Sequence, residues 1–278
     1  MIREKAYAKI NLNLHLIPER LNNNFYPVRF INCQINLFDE LRFKSIKNKI
    51  EGVSEDNLIY KAAILLKKLV KDQSLGAEIS LKKNIPIKAG LAGGSADAAA
   101  TIIGLSKLWK IKLNQNQLNY LADKLGKDVY YCLQGGLSQI EGDGSKIISL
   151  DSKLPKFWLV IITPEEKKPS TKWMYDNLDI NKIGKNQLKL EKIKQAIILK
   201  NKKDIMENLH NDFELLAINY CLKITNIKKD LIDMGALNTL LAGSGYSMAG
   251  FFDSKDQAIA AFENLKVKYK NIFYASTK

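Results

Sequence analysis

The residues of this chain best placed to do chemistry lie in Pro86-Ile87-Lys88-Ala89-Gly90-Leu91-Ala92-Gly93-Gly94-Ser95-Ala96-Asp97-Ala98-Ala99-Ala100, a run that passes from glycine-rich to alanine-rich. Glycines let several backbone N–H groups turn into one concavity, and a helix starting near Ser95 adds its positive N-terminal end. The chemistry this suits is a seat for a di- or triphosphate. A tight turn capped by Ser95 or Asp97 would alone account for a glycine or two. Gly90, Gly93 and Gly94, ahead of a serine and an alanine-rich helix, exceed what capping requires. The loop is not a Walker A, since no GK[ST] follows, and it is not a Rossmann GxGxxG. Ala242-Gly243-Ser244-Gly245-Tyr246-Ser247 is a second glycine cluster, which alone reads as a β-turn. Asp128, in Gly126-Lys127-Asp128-Val129, reads in isolation as a helix N-cap, and Lys9 as a solvated lysine.

These residues must be held by elements that periodicity predicts. Ile10, Leu12, Leu14 and Leu16 alternate with Lys9, Asn11, Asn13 and His15, the pattern of a half-buried strand with one polar face. Ile31, Cys33, Ile35 and Leu37 against Asn32, Gln34 and Asn36 predict a second strand, after an Asn-rich loop from Glu19 to Tyr26. Asp56-Asn57 opens a helix with Leu58, Ala62, Leu65, Leu66 and Leu69 at helical spacing, and a short strand is expected over Ala77 to Leu81. Leu118, Leu121, Ala122 and Leu125 predict another helix, with Gly126 as its C-terminal cap. The pattern breaks near Ser149 to Pro155 and restarts as a buried strand over Phe157 to Ile162, so two domains, 1–153 and 154–278, are expected. Helical stretches follow between Leu188 and Lys200, then a strand-loop-strand around Gly243-Ser244-Gly245. Strands and helices mix without a regular βαβ beat, which favours α+β.

Composition bounds the function. Of 278 residues, 46% are apolar and 26% charged, enough to close a core without disulfide or metal staples. The apolar stretch Phe157 to Ile162 is too short to span a bilayer, and no signal-like block opens the chain, so a cytoplasmic protein with no membrane partner is expected. Cys33, Cys132 and Cys221 are widely spaced and form no CxxC, as expected of reduced thiols. With His15 and His210 as the histidines, no HExxH or Cys/His zinc cluster can be written, and no metal-ligating residues are assigned. Lys and Arg outnumber Asp and Glu by 43 to 29, a net charge of +14. The arginines are Arg3, Arg20, Arg29 and Arg42, and the lysines are dispersed, so a solvated surface is preferred to a nucleic-acid footprint. The positive field suits an anionic small substrate.

Taken in order, Ala6-Tyr7-Ala8-Lys9-Ile10-Asn11-Leu12, the loop Pro86 to Ala100 and Leu241 to Ser247 resemble the three motifs of the GHMP kinase superfamily. Asp56-Asn57-Leu58-Ile59, Leu125 to Val129, Gly135-Gly136, Gly142-Asp143-Gly144, Pro169-Ser170-Thr171 and Asn211-Asp212-Phe213-Glu214 are similar, more narrowly, to the diphosphocytidyl-methylerythritol kinases of non-mevalonate isoprenoid synthesis. The resemblance implies a two-domain fold with its active site in the cleft between the halves. It implies ATP and Mg²⁺ as cofactors and phosphorylation of the 2-hydroxyl of a cytidine-diphosphate-linked methylerythritol. By the same resemblance, Asp128 is the general base and Lys9 holds it and steadies the developing alkoxide. Asn57 faces the adenine, and Gly90, Ala92, Gly93, Gly94 and Ser95 cradle the ATP phosphates. Asn11 binds the polyol, Gly243, Ser244 and Gly245 close over acceptor and phosphate, and Tyr26, Thr171 and Tyr175 meet the cytidine. A GHMP kinase for another alcohol (homoserine, mevalonate or a polyol phosphate) and a non-catalytic nucleotide- or nucleic-acid-binding protein of this fold are the alternatives.

The chain also departs from the family pattern. Pro27 stands where a histidine usually follows the tyrosine, Lys88 and Ala92 where glycines are usual, Ala96 for a serine, Tyr130 for a proline and Ala242 for a serine. Ala92 must then adopt whatever backbone angles the glycine had.

Overall fold

The computed structural model describes residues 1–21, 25–166 and 168–278, so residues 22–24 of the predicted Asn-rich loop lie outside the described residues. The N-terminal alternation forms β1 (Ile2–Leu16), and the second forms β2 (Val28–Lys47), which runs beyond the predicted Leu37. The chain packs as two compact units interleaved in sequence. The first comprises Met1–Ala8, Phe38–Ile87 and Ala92–Gly135; the second comprises Lys9–Leu37, Lys88–Leu91 and Gly136–Lys278. These units divide β1 after Ala8 and β2 after Leu37, a different partition from the linear one at 153/154. Each unit mixes helices with mainly antiparallel strands, an α+β fold.

In the first unit, the later part of β2 pairs antiparallel with β4 (Leu75–Lys82), from Glu40 opposite Lys82 to Lys47 opposite Leu75. The short β3 (Ile50–Glu51) adds to β4 in parallel. Leu41, Phe43, Ala77 and Ile79 turn one face of this sheet toward α1 (Leu58–Val70), α2 (Gly93–Leu108), α3 (Gln115–Leu125) and α4 (Lys127–Gln134). The alanine run explains why α2 takes the centre. Ala96, Ala98, Ala99 and Ala100 are all buried, so small side chains let neighbours approach the helix from several directions. Asn57 caps α1 by accepting from Ile59 N at 2.9 Å, and Asn114 with Gln117 forms a capping box on α3, which ends at Gly126 as expected.

In the second unit, β5 (Leu137–Gly142) pairs antiparallel with the early part of β2, and β6 (Lys146–Ser149) returns on β5. The predicted Phe157–Ile162 strand appears as β7 (Trp158–Ile162). After α5 (Thr171–Asp176), α6 (Leu188–Ile198) and α7 (Lys202–Glu207) comes β8 (His210–Asn211), paired in parallel with β1. Then follow α8 (Glu214–Tyr220), α9 (Lys223–Asp233), β9 (Asn238–Leu241), β10 (Met248–Phe252), α10 (Lys255–Leu265) and β11 (Ile272–Ser276). The order β11-β7-β10-β9 makes a four-stranded antiparallel sheet, backed by α9 and α10.

One expectation about β1 fails. Lys9, Asn11, Asn13 and His15 are 4%, 1%, 0% and 1% exposed, so the polar face is buried as deeply as the apolar one. Period two identifies which residues share a face; it does not say whether water or protein covers that face. Hydrogen bonds offset part of the desolvation: Lys9 Nζ donates to Asn11 Oδ1 at 2.8 Å, Asn11 Nδ2 to Asn32 Oδ1 at 2.6 Å and Asn13 Nδ2 to Asn208 O at 2.6 Å. His15 stacks on His210 with ring centroids 4.6 Å apart, and neither His15 nitrogen has a partner among the described residues. Burial, then the adjacent His210, lowers the His15 pKa to about 4, so the ring is neutral at pH 7.

No helix among the described residues is long and apolar enough to cross a membrane. All cysteines are free; Cys33 is fully buried, which pushes its thiol up to about 12 and makes it inert. Gly104 of α2 packs closely on Phe43 of β2: a methyl group on Gly104 would lie 2.4 Å from the Phe43 ring. Gly104→Ala is therefore expected to lower stability by about 1–3 kcal/mol through overpacking, despite the better helix propensity of alanine. Urea unfolding of the variant checks this; an unchanged or raised midpoint would contradict it.

Candidate functional site

The glycine loop leads into α2 through unusual backbone. Lys88, Gly90 and Ala92 have φ of 60°, 84° and 57°. Both Lys88 and Ala92, which replace customary glycines, are thus in the left-handed region, where a Cβ costs roughly 1–2 kcal/mol. Ala92 is also the N-cap position of α2, and no side chain caps this helix. α1, α3, α5, α7 and α10 each have a side-chain cap, whereas α4, α6, α8 and α9, like α2, do not. Capping by Ser95 or Asp97 is thereby set aside: Asp97 Oδ2 instead accepts from Lys83 Nζ at 2.6 Å, and Lys83 also reaches Asp39 Oδ2 at 2.5 Å. Burial pushes the Asp97 carboxyl up to about 7, against the hydrogen bond and charge of Lys83 and reinforced by Asp39. The start of α2 therefore offers N–H groups of Gly93, Gly94 and Ser95 that no capping side chain takes. The start of α1 stands beside it, because a methyl on Gly94 would lie 3.4 Å from Leu58 Cδ1. Asn57 uses its Oδ1 for capping, which leaves its amide donors for a ligand.

The second assembly lies in the second unit. A methyl on Gly90 would lie 1.8 Å from Ala242 O, and one on Gly245 would lie 2.5 Å from Ala89 O, so the two glycine clusters touch backbone to backbone. Gly243, at φ 54°, faces the same point: a methyl there would lie 3.0 Å from Gly90 O, 3.3 Å from Asn11 Oδ1 and 3.5 Å from Lys9 Nζ. The backbone N–H of Lys9 donates to Leu91 O at 3.1 Å, tying the loop to β1. Lys9, Asn11, Gly90, Gly243 and Gly245 thus converge, and Lys9 is a buried ammonium on a neutral partner rather than a solvated lysine. Local sequence suggested a plain β-turn at Gly243; its partners are far away along the chain.

Other predicted residues are distributed as follows. Asp128 is in the first turn of α4, behind the uncapped Gly126, and not an N-cap. Thr171 opens α5, where Ser170 Oγ caps Trp173 N at 2.9 Å. Tyr175 meets Phe25 at 4.8 Å and Phe213 at 5.0 Å, both edge-on. Tyr26 is 3% exposed with the Arg20 guanidinium 4.9 Å over its ring. Pro27 contributes its carbonyl to Ile17 N at 2.8 Å.

Sequence reasoning missed three participants. Asn32 fixes the Asn11 amide, and the polar alternation of β2 was its signal. Lys83 is beside the start of α2, its Nζ 3.2 Å from where a Gly93 methyl would be. Lys168 joins two predicted residues, donating to Ser244 Oγ at 2.8 Å and Thr171 Oγ1 at 3.0 Å. Nothing in a chain so rich in lysine distinguishes the last two.

Two opposite substitutions test the loop. Gly90→Ala forces backbone apart and is expected to cost about 2–4 kcal/mol. Ala92→Gly relieves a left-handed alanine and is expected to stabilise by about 0.5–1 kcal/mol, net of the entropy glycine adds to the unfolded chain. Denaturant midpoints of both variants against the parent give the signs; equal effects would contradict this account of the loop.

The chain matches the family model for the GHMP kinases N terminal domain over residues 57–136 and that for GHMP kinases C terminal over residues 193–271. It is 37% identical over 282 residues to the 4-diphosphocytidyl-2-C-methyl-D-erythritol kinase of Caldicellulosiruptor bescii, covering 98% of this chain and 97% of that protein. The enzyme of that name from Clostridium perfringens strain 13 is 36% identical over 280 residues, covering 97% and 95%. A crystal structure of 4-(cytidine 5'-diphospho)-2C-methyl-D-erythritol kinase superposes with a TM-score of 0.85 at 25% identity, over 99% of this chain and 98% of that one. Leishmania major mevalonate kinase, solved with R-mevalonate, shares the fold at 15% identity with a TM-score of 0.77, over 99% and 95%. Glycine clusters that meet around a buried lysine, matched domain models and full-length relatives lead to one conclusion: the chain belongs to the GHMP kinase family.

Proposed function

We propose that the protein transfers the γ-phosphoryl group of ATP to the 2-hydroxyl of 4-diphosphocytidyl-2-C-methyl-D-erythritol and releases ADP. The observation that carries this reading is the Lys9 ammonium, buried with the neutral Asn11 Oδ1 as its partner and beside Gly243. A buried cation with no carboxylate on that bond is costly unless an anion visits, and a transferring phosphoryl group or a forming alkoxide is such an anion.

In this reaction a carboxylate oxygen of Asp128 takes the proton of the acceptor hydroxyl. The hydroxyl oxygen forms the new bond to the γ-phosphorus as the bond to the β,γ-bridging oxygen breaks. Lys9 steadies the oxygen that loses its proton, and Asn11 orients the polyol. The N–H groups of Gly93, Gly94 and Ser95 hold the phosphates, and the free amide donors of Asn57 read the adenine. Gly243, Ser244 and Gly245 close over the acceptor. Lys168, through Ser244 and Thr171, adds positive charge for the acceptor's diphosphate. Tyr26, Thr171 and Tyr175 receive the cytidine. The Ser95 hydroxyl is the group suited to hold a Mg²⁺ ion, which when bound would neutralise part of the triphosphate's charge. Free Cys33, Cys132 and Cys221 suit a reducing cytoplasm as the compartment.

The test is ADP release with ATP and Mg²⁺ on four acceptors: the diphosphocytidyl-methylerythritol, homoserine, mevalonate and none. Turnover is expected with the first alone. Asp128→Asn is expected to lower kcat about 10²–10⁴-fold with little change in the KM for ATP. Turnover on homoserine or mevalonate instead would overturn the acceptor. Silence with every acceptor, despite ATP binding, would overturn catalysis.

A further inference from the structure

The Asn211-Asp212-Phe213-Glu214 segment has no part in the reaction above, yet Asn211 is 5% exposed and every polar atom of its side chain that can bond is engaged. Its Nδ2 donates to Leu241 O at 2.9 Å and to Gly243 O at 2.7 Å. Its Oδ1 accepts from Phe213 N at 2.9 Å, which fixes the amide the right way round. The residue is itself rigidly mounted. Asn211 is the β-partner of Leu14, and Asp212 N donates to Leu14 O at 3.0 Å. Asp212 Oδ2 accepts from Leu16 N at 2.7 Å and Gly184 N at 3.0 Å, while Oδ1 meets His210 Nε2 at 2.7 Å. The strand on which Asn211 is mounted, β1, is the strand that carries Lys9 and Asn11.

We propose that Asn211 is a positioning residue for phosphoryl transfer: its amide binds the Leu241 and Gly243 carbonyls and thereby sets the 242–247 turn against Lys9, Asn11 and Gly90. Both sides of that meeting point are then referenced to β1, one through the chain itself and the other through the Asn211 amide. Gly243 has left-handed backbone and no side chain, so its own residue type gives the turn freedom rather than a fixed place. The amide supplies what glycine lacks. The inference rests on the kinase reading for what the turn does, but the hold on the turn stands apart from it.

Asn211→Asp keeps the shape and replaces the two donors by oxygen, which repels the two carbonyls. Ile193→Ala, a cavity in buried α6, serves as a control for general loss of stability. Steady-state kinetics at a temperature where both variants are folded are combined with amide hydrogen exchange over residues 242–247. Asn211→Asp is expected to lower kcat at least about 10-fold, with the KM for ATP within about threefold, and to speed exchange of the turn about 10-fold or more. Ile193→Ala is expected to leave kcat and the turn's exchange within about twofold of the parent. Faster exchange with unchanged kcat, lost kcat with unchanged exchange, or the same pattern in Ile193→Ala would each overturn the proposal. A parent enzyme that turns over no acceptor would overturn the kinase reading, and unchanged exchange in Asn211→Asp would then overturn the hold itself.

Discussion

The arrangement of this protein depends on a backbone-to-backbone contact between two glycine clusters. Gly90 lies against Ala242 O with no room for a methyl group, and a methyl on Gly245 would lie 2.5 Å from Ala89 O. Packing of this kind has few substitutes, since any Cβ would separate the two chains rather than merely reshape a side-chain contact. Its result is a small region walled by main chain, beside which the Lys9 ammonium projects. Lys9 serves both parts: its N–H holds Leu91 O, and its side chain supplies the charge. In the proposed reaction a phosphate there would meet a cation that is already desolvated, which would leave little reorganisation for the moment of reaction.

That arrangement sets a cost on β1. A strand that buries Lys9, Asn11, Asn13 and His15 on one face forgoes the hydrophobic gain of that face. Asn13 Oδ1, Asn32 Nδ2 and both His15 nitrogens lack partners among the described residues, which adds a further penalty. The compensation lies in apolar packing elsewhere: the opposite face of the same strand, with Ile10, Leu12 and Leu16 at 0% exposure, and the aromatic and aliphatic core of the β7–β10 sheet. In the first unit, α2 packs through alanines, and Lys83 joins Asp39 and Asp97 in a polar cluster beside it. Function and stability are thus drawn from different faces of the same elements.

How much of this the sequence discloses depends on the range of the interaction. Strands, helices and caps follow from neighbours within about four residues, and β1, α1, α3 and β7 fall where period and capping residues predict. The first glycine cluster was legible because its residues act together locally. The second was not, because what makes Gly243 more than a turn is Gly90 and Lys9, more than a hundred residues away. Asp128 and Lys9 emerged only through resemblance, since an aspartate at a helix start and a lysine on a strand are ordinary. That Phe25 packs on Tyr175 while Tyr26 lies under Arg20 is a matter of side-chain direction, which loop sequence does not specify. Lys83 and Lys168 were hidden by abundance: 43 basic residues mask the few whose partners give them a role.

The start of α2 gives the physical basis for reading the loop as a ligand seat rather than a turn. A helix leaves N–H groups unpaired at its first turn; this chain supplies them with Asn or Ser caps on α1, α3, α5, α7 and α10, while α2, α4, α6, α8 and α9 have no side-chain cap. At α2 the capping position is alanine, which can accept nothing, in a left-handed conformation that costs free energy. Ser95 is three residues further on, within the helix, and Asp97 is turned away to Lys83. Stability alone would favour Ser, Asp or Gly at position 92, relieving either the missing cap or the strain. A polar side chain there would occupy the same N–H groups that a phosphate needs. What sets α2 apart from the other helices without a side-chain cap is the left-handed, non-glycine residue at its capping position, a strain that fits the proposed role of this terminus as a seat for an anion.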